Sequence, residues 1–273
     1  MPLVYACITP HGDEVIPALA GRKLHLFAPT RKAMRTIAAE MKAARPDAIV
    51  VATPHNLRLQ KHIGVVTAQY SSGSITDGGR TVRLSAACDV DFAKGVVGEA
   101  EKQGLPVVAA NYGALEGPLS NLAMDWGTLV PLWFFLRGAR PKSKVVIVTP
   151  SRGIPLRENF EFGRAVARVA LKVKKRVAFV ASADQAHAHK KSGPYGFDIR
   201  AAEYDSRVAE LIRRGSLEGI MEFEPRFVEG ASPDSLWQMT MLAGALSVVP
   251  MKGELLSYQV PTYFGMLCAS YRP

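Results

Sequence analysis

Short apolar runs of strand length alternate with stretches of helical periodicity along most of the chain, and this alternation limits the fold more than any other feature. Val4–Ile8, Ala48–Ala52, Val107–Ala110, Val145–Thr149 and Val177–Ser182 are dominated by valine, isoleucine and alanine. Such runs suit strands buried on both faces. Between the first two, Met34, Ile37, Ala38 and Met41 follow the i, i+3, i+4, i+7 spacing of an amphipathic helix. That helix is predicted over 30–45, with Thr30 as its cap and Pro46 as its stop. Further helices are expected over 92–103, 156–173, 201–214 and 236–246. The pattern predicts an α/β fold with a central, largely parallel or mixed sheet flanked by helices. The segment His62–Val90 differs, with short strand-like runs separated at Ser72–Gly73 and Asp77–Gly79. It reads as a small antiparallel excursion, a hairpin over the site. No repeat, low-complexity tract or linker interrupts the sequence, so one domain over 1–273 is expected.

Composition removes several function classes. With 273 residues, 48% hydrophobic and 21% charged, the chain can bury a large core and shows no sign of disorder. The longest apolar run, Leu129–Leu136, is far below the roughly 18 residues that span a bilayer. The N-terminus lacks the basic, apolar and small-residue succession of a secretion signal, and no membrane partner is expected. Cys7, Cys88 and Cys268 are odd in number and lack metal-type spacing. They read as buried thiols in a reducing compartment, so a cytoplasmic protein is expected. The net charge is +10, but the basic residues are scattered over predicted helix surfaces and accompany no nucleic-acid module. Nucleic acid is therefore not an expected partner, whereas anionic small molecules would be drawn mildly toward the protein.

Six histidines are present, and two share a context. His11 and His55 each follow a Thr-Pro pair directly after an apolar strand. Loops at the carboxyl ends of parallel strands are where such sheets bind ligands, so two imidazoles delivered there can meet around a metal ion. The plainer reading is two unrelated loop histidines. Asp13 and Glu14, beside His11, are candidates to orient it. His187 and His189 follow the strand Val177–Ser182 and precede Gly193-Pro194-Tyr195-Gly196, a tight loop suited to folding over a pocket. Histidine is the natural proton carrier near neutral pH, with an ordinary pKa of about 6.5. A surface loop with polar histidines is the competing reading.

The segments TPHGDEVIP at His11, TPHN at His55, MDWGTLVPLWF from Met124, SADQAHAHKKSGPYGFD from Ser182 and ELLSYQVPTYFG near the C-terminus occur in that order. Together they resemble the class III extradiol ring-cleavage dioxygenases, the catalytic-subunit family that includes the protocatechuate 4,5-dioxygenase beta chain. The resemblance implies non-haem Fe(II) held by His11, His55 and a carboxylate, with zinc or manganese as alternative ions. It implies a small aromatic substrate, a catechol or 2-aminophenol, together with O2. The third ligand falls shortly before the helix that ends in Gly244-Ala245-Leu246, which brings in Asp234 first and Glu229 as the reserve. An ordinary helix-capping carboxylate is the other reading of Asp234. His187 corresponds to the family's acid-base histidine, with His189 in reserve. Trp126, Tyr195 and Tyr258 are implied substrate-side residues, with Tyr263 a further candidate for the pocket wall. A homo-oligomer is expected, and the resemblance leaves a second subunit open.

One departure stands out: Asp125-Trp126-Gly127 replaces the Asp-His-Gly that the family often carries. Indole donates a hydrogen bond but cannot accept a proton, so Trp126 cannot repeat that histidine's role. Two rival functions remain at this stage. One is a zinc-dependent hydrolase on a similar scaffold. The other is a Memo-type metal-binding protein without ring cleavage, against which stands the lack of a cysteine near Asp234.

Overall fold

The computed structural model describes residues 2–136 and 143–273. In chain order the described elements are β1 (Leu3–Thr9), α1 (Ala28–Ala44), β2 (Ala48–Ala52), β3 (Ile63–Val66), β4 (Tyr70–Asp77), β5 (Arg80–Ala87) and α2 (Val90–Lys102). Then come β6 (Val107–Ala110), β7 (Asn121–Ala123), α3 (Trp126–Phe135), β8 (Lys144–Thr149) and α4 (Leu156–Val173). The chain finishes with β9 (Val177–Ser182), α5 (Arg200–Arg214), α6 (Pro225–Ala231), α7 (Leu236–Val248), β10 (Lys252–Gln259) and β11 (Met266–Arg272). Among the described residues no helix is long and apolar enough to cross a membrane.

The large mixed sheet has the order β10-β11-β1-β9-β2-β8-β3-β6. Its centre, β1-β9-β2-β8, is parallel throughout. Antiparallel pairings flank that centre, β11 against β1 and β3 against β8. The parallel strands are buried along nearly their whole length, as their continuous apolar sequences require. Successive side chains point to opposite faces. Ala6, Ile8, Val50 and Phe179 therefore pack toward α2, α4, α5 and α7, whereas Tyr5, Cys7, Ile49 and Val180 pack toward α1 and α3. Each of the larger of these side chains, the valines, isoleucines and Phe179, stabilises the fold by about 1.5–3 kcal/mol. All three cysteines are buried and free.

Helices α4 and α7 cross so closely that a Cβ on Gly163 would meet the Met241 carbonyl oxygen at 1.8 Å, and one on Gly244 the Phe160 oxygen at 1.9 Å. That contact sets the position of α7 and of the loop that precedes it.

The excursion after β2 is a hairpin, β4 against β5, in a separate three-stranded sheet with β7. Its turn lies at Gly78–Gly79 as expected, but Ser72–Gly73 lies inside β4 rather than between strands. Thr30 also departs from expectation. Helix α1 starts at Ala28, with Pro29 in its first turn, so Thr30 is not its cap. The buried Thr30 hydroxyl instead accepts from Gln259 Nε2 at 2.7 Å, tying α1 to β10.

Candidate metal centre

Four adjacent parallel strands end on one side of the sheet, and each delivers part of the site. The chain leaving β1 supplies His11, that leaving β2 supplies His55, β9 leads to Asp184 and His187, and β8 leads to Arg152. Asp234 arrives from the loop before α7. The candidate ligand atoms of His11, His55 and Asp234 lie within 4.8 Å of one another. His11 Nε2 is 3.1 Å from His55 Nε2 and 3.4 Å from Asp234 Oδ2, and His55 Nε2 is 2.9 Å from the same oxygen. Donors that share one ion at about 2.1 Å each are at most about 4.2 Å apart, so these separations fit a single divalent ion.

Hydrogen bonds decide which nitrogen of His11 is free. The Ser182 hydroxyl donates to the Gly127 carbonyl at 2.5 Å and lies 3.0 Å from His11 Nδ1. A carbonyl cannot donate, so the hydroxyl's one proton is committed and its oxygen must accept from Nδ1–H. When His11 is neutral, Nε2 presents its lone pair to His55 and Asp234, the state in which it would bind a metal; when His11 is protonated, Nε2–H donates to Asp234 instead. The main-chain N–H of His11 donates to Asp184 Oδ1 at 2.9 Å, and Asp184 Oδ2 lies 3.3 Å from Nε2. Asp184, not Asp13 or Glu14, is thus the carboxylate beside His11; those two residues line the cavity, and Glu14 pairs with Lys23 at 3.6 Å.

His55 is placed differently. Its ring stacks on Trp126 with centroids 4.1 Å apart and planes at 26°. Thr53 donates to Asp125 Oδ2 at 2.5 Å, and Asp125 caps α3 through the Thr128 N–H. This knot leaves no room for a side chain at 127, where a Cβ would come within 2.5 Å of Thr53 Oγ1 and 3.3 Å of His55 Cδ2.

The electrostatics ask for a positive charge. Burial alone would raise the Asp234 carboxyl, but hydrogen bonds from His11 and His55 outweigh it and hold the group below the ordinary carboxylate range. Burial likewise disfavours a protonated His11, yet Asp184 and then Asp234 reverse this and lift its pKa above the usual value. Acceptor atoms converging in a buried site need a proton or a cation among them, and two imidazoles with a carboxylate suit a divalent metal.

A cavity of about 1050 Å³ opens over these residues. His187 lies on its wall, its ring parallel to Phe264 (centroids 5.2 Å, 16°) and edge-on to Tyr195 at 5.1 Å. Burial holds the His187 pKa below its ordinary value, and its buried Nδ1 has no partner among the described residues. Trp126, Tyr195, Tyr263 and Glu229 also line the cavity, as do Ser74, Ile75 and Thr76 of the hairpin. Glu229 stands outside the ligand cluster. Tyr258 and His189 do not line the cavity: both bond Oδ2 of the fully buried Asp205, at 2.7 and 2.8 Å. Asp205 Oδ1 accepts from the Ala186 N–H at 2.9 Å, so this group braces the loop that carries His187.

Arg152 was not foreseen. It pairs with Asp234 Oδ1 and lies over Trp237 at 4.4 Å. Its signal was a third Thr-Pro pair at a strand end, Thr149-Pro150. Asp234 does not cap α7, where the capping position belongs to Ser235.

The fold and the convergent residues define an α/β protein with a histidine–carboxylate centre suited to a metal. Residues 5–267 match the family described as the catalytic LigB subunit of aromatic ring-opening dioxygenase, and the chain belongs to that family. It is similar to Protein CA_C1420 of Clostridium acetobutylicum, with 24% identity over 253 residues, covering 92% of this chain and 54% of that protein. The chain thus spans about half the length of this curated relative. Its fold resembles the crystal structure of the uncharacterized protein JW3007 from Escherichia coli K12, at a TM-score of 0.62 and 17% identity. That likeness covers 98% of this chain and 99% of the other.

Proposed function

We propose that the protein is a non-haem Fe(II)-dependent extradiol dioxygenase that opens the ring of a catechol or 2-aminophenol with O2. The observation that carries this reading is the meeting of His11, His55 and Asp234 in a cavity walled by aromatic rings, with His187 on the same wall. Bound Fe(II) would supply electron transfer and adjacent open positions for both reactants, because two histidines and one carboxylate occupy only one face of the ion.

The chain's own residues divide the remaining work. Asp234 offers Oδ2 toward the histidines, while Oδ1 is held by Arg152, which fixes the carboxylate's rotation. His187, neutral at pH 7 because burial lowers its pKa, can take a proton from the incoming hydroxyl or amino group and later return it. Trp126 contributes a wall and one N–H donor, and proton acceptance is left to His187. Zinc or manganese would fit the same donors, so metal analysis of anaerobically purified protein is part of the test.

The direct experiment is anaerobic loading with Fe(II), then admission of O2 with a set of catechols and 2-aminophenols. A yellow ring-fission product from at least one catechol, or consumption of an aminophenol, is expected. Iron-loaded protein that turns over none of them overturns the reading.

Ser182→Ala is expected to weaken metal affinity about 10–100-fold, the usual effect of removing a group that orients a metal-bound histidine. Loss of the hydroxyl leaves His11 Nδ1–H without its acceptor and frees the other tautomer. Competition against a chelator measures this. Unchanged affinity would mean that Ser182 does not set the tautomer.

A further inference from the structure

We propose, on the strength of the ring-cleavage reading of the cavity, that Trp126 is a positioning residue for the metal centre: its indole face sets the plane of the His55 ring and so aims Nε2 at the ion.

The two histidines of the centre are held by different means. His11 is fixed through Nδ1 by the Ser182 hydroxyl at 3.0 Å. Metal-binding histidines nearly always have such a partner on the nitrogen that does not bind the ion. His55 has none: Nε2 meets His11 Nε2 and Asp234 Oδ2, but Nδ1 makes no hydrogen bond among the described residues. The torsion that turns an imidazole about its Cβ–Cγ bond is soft, so another contact must hold the ring. His11 touches it only edge-on, with centroids 4.9 Å apart and planes at 88°. The indole of Trp126 covers its face, with centroids 4.1 Å apart and planes at 26°.

The plane of the ring is what metal binding depends on. The Nε2 lone pair lies in that plane, so a strong metal bond forms only when the plane contains the ion. The stack fixes the plane, and Asp234 Oδ2 at 2.9 Å selects the edge that faces it. A bound cation also draws charge from the imidazole, and the electron-rich indole face favours a ring that has become more positive. Tryptophan in place of the histidine that the family often carries thus exchanges a polar group for a ring-orienting face.

The indole is itself built in. Trp126 opens α3, and Asp125 before it accepts from the Thr53 hydroxyl at 2.5 Å and from the Thr128 hydroxyl at 2.6 Å. Asn56 Nδ2 donates to the Ala123 carbonyl at 3.0 Å. Thr53 and Asn56 lie on either side of His55 in the chain, so the segment carrying the indole and the loop carrying the imidazole are tied together around the stack. Trp126 is nevertheless 48% exposed and stands outside the hydrophobic core, so replacing it opens no hole there.

Co(II) binding under anaerobic conditions tests the role without turnover, because the visible bands of Co(II) report the geometry of its ligands. Wild type, Trp126→Phe and Trp126→Leu are compared by competition against a chelator, with melts of the metal-free proteins alongside. Phenylalanine keeps a ring face and should keep both the affinity and the wild-type bands. Leucine keeps bulk without a ring face, so affinity should fall by about 10–100-fold, the usual loss when the group orienting a metal-bound histidine is removed, and the bands should shift. Metal-free melts should agree for all three proteins. A leucine variant with wild-type affinity and bands makes Trp126 a wall only, and one whose metal-free form melts far below the wild type makes it a packing residue; either result overturns the role and leaves ring cleavage standing. Equal losses in both variants would assign the effect to the indole N–H and overturn the stacked face. If the wild type binds no Co(II), the metal centre and the ring-cleavage reading fall, and the role of Trp126 falls with them.

Discussion

Alanine at His11, His55 or Asp234 is expected to abolish tight metal binding while the fold persists. Each residue stands just beyond a strand or ahead of a helix rather than within the packed core, so its removal leaves the sheet's buried faces intact. The metal site has no such reserve. Three donors meet within 4.8 Å, and losing one removes a ligand outright. Loss of a merely orienting group already costs about 10–100-fold in affinity, so loss of a ligand should exceed the upper end of that range. Asp234→Ala should be the most damaging, because it also removes the negative charge that two neutral imidazoles cannot replace, and it strands Arg152. Glu229→Ala is the internal control, since Glu229 lines the cavity without joining the cluster. Metal content after anaerobic loading and desalting, with thermal melts alongside, decides the matter. Full occupancy in any of the three variants removes that residue from the site, and metal loss in Glu229→Ala would move the third ligand there.

The parallel centre of the sheet was legible because fully buried strands are written as unbroken apolar runs. Ala48–Ala52 and Val177–Ser182 have the bounds that the sequence predicts and are fully buried. Val107–Ala110 also has its predicted bounds, but it is the half-exposed edge strand β6, not a strand buried on both faces. Helix α3 was not legible: Trp126–Phe135 is apolar on all sides and contains Pro131, so no amphipathic period marks it. Strand β10 escaped for a related reason, since it is half exposed and mixes polar and apolar residues without strict alternation. The same contrast runs through the site. His11 and His55 announce themselves by a repeated Thr-Pro-His at strand ends, a local pattern. Asp184 beside His11, Arg152 on Asp234 and Ser182 on His11 are contacts between residues distant in sequence. No local pattern encodes such contacts. Tyr258 and His189 look suited to a pocket by residue type, but the buried carboxylate of Asp205 captures both, and only the three-dimensional arrangement reveals that competition.

His187→Gln should retain metal and still bind a catechol, yet lose turnover by about 10²–10⁴-fold, the usual contribution of a positioned general acid or base. The side chain is not a member of the ligand cluster, so binding of the ion does not depend on it. Its ring is gripped between Phe264 and Tyr195, which holds it in one orientation on the cavity wall. Burial lowers its pKa, with Asp184 and Asp234 opposing this more weakly. The base form is therefore present at and somewhat below neutral pH, and the wild-type rate should hold to lower pH than an ordinary imidazole would allow. Glutamine keeps similar bulk and a polar end but cannot carry the proton, so packing loss is separated from loss of chemistry. His189→Ala should behave otherwise. His189 bonds Asp205 away from the cavity, and its loss should loosen the 184–189 loop, lowering thermal stability with a smaller effect on rate and no change in the pH profile. Iron content, catechol affinity and ring-opening rate measured on both variants separate the roles. A His187→Gln variant with near-normal turnover would show that this residue carries no proton. If His189→Ala alone lost activity with its fold intact, the acid-base role would pass to His189.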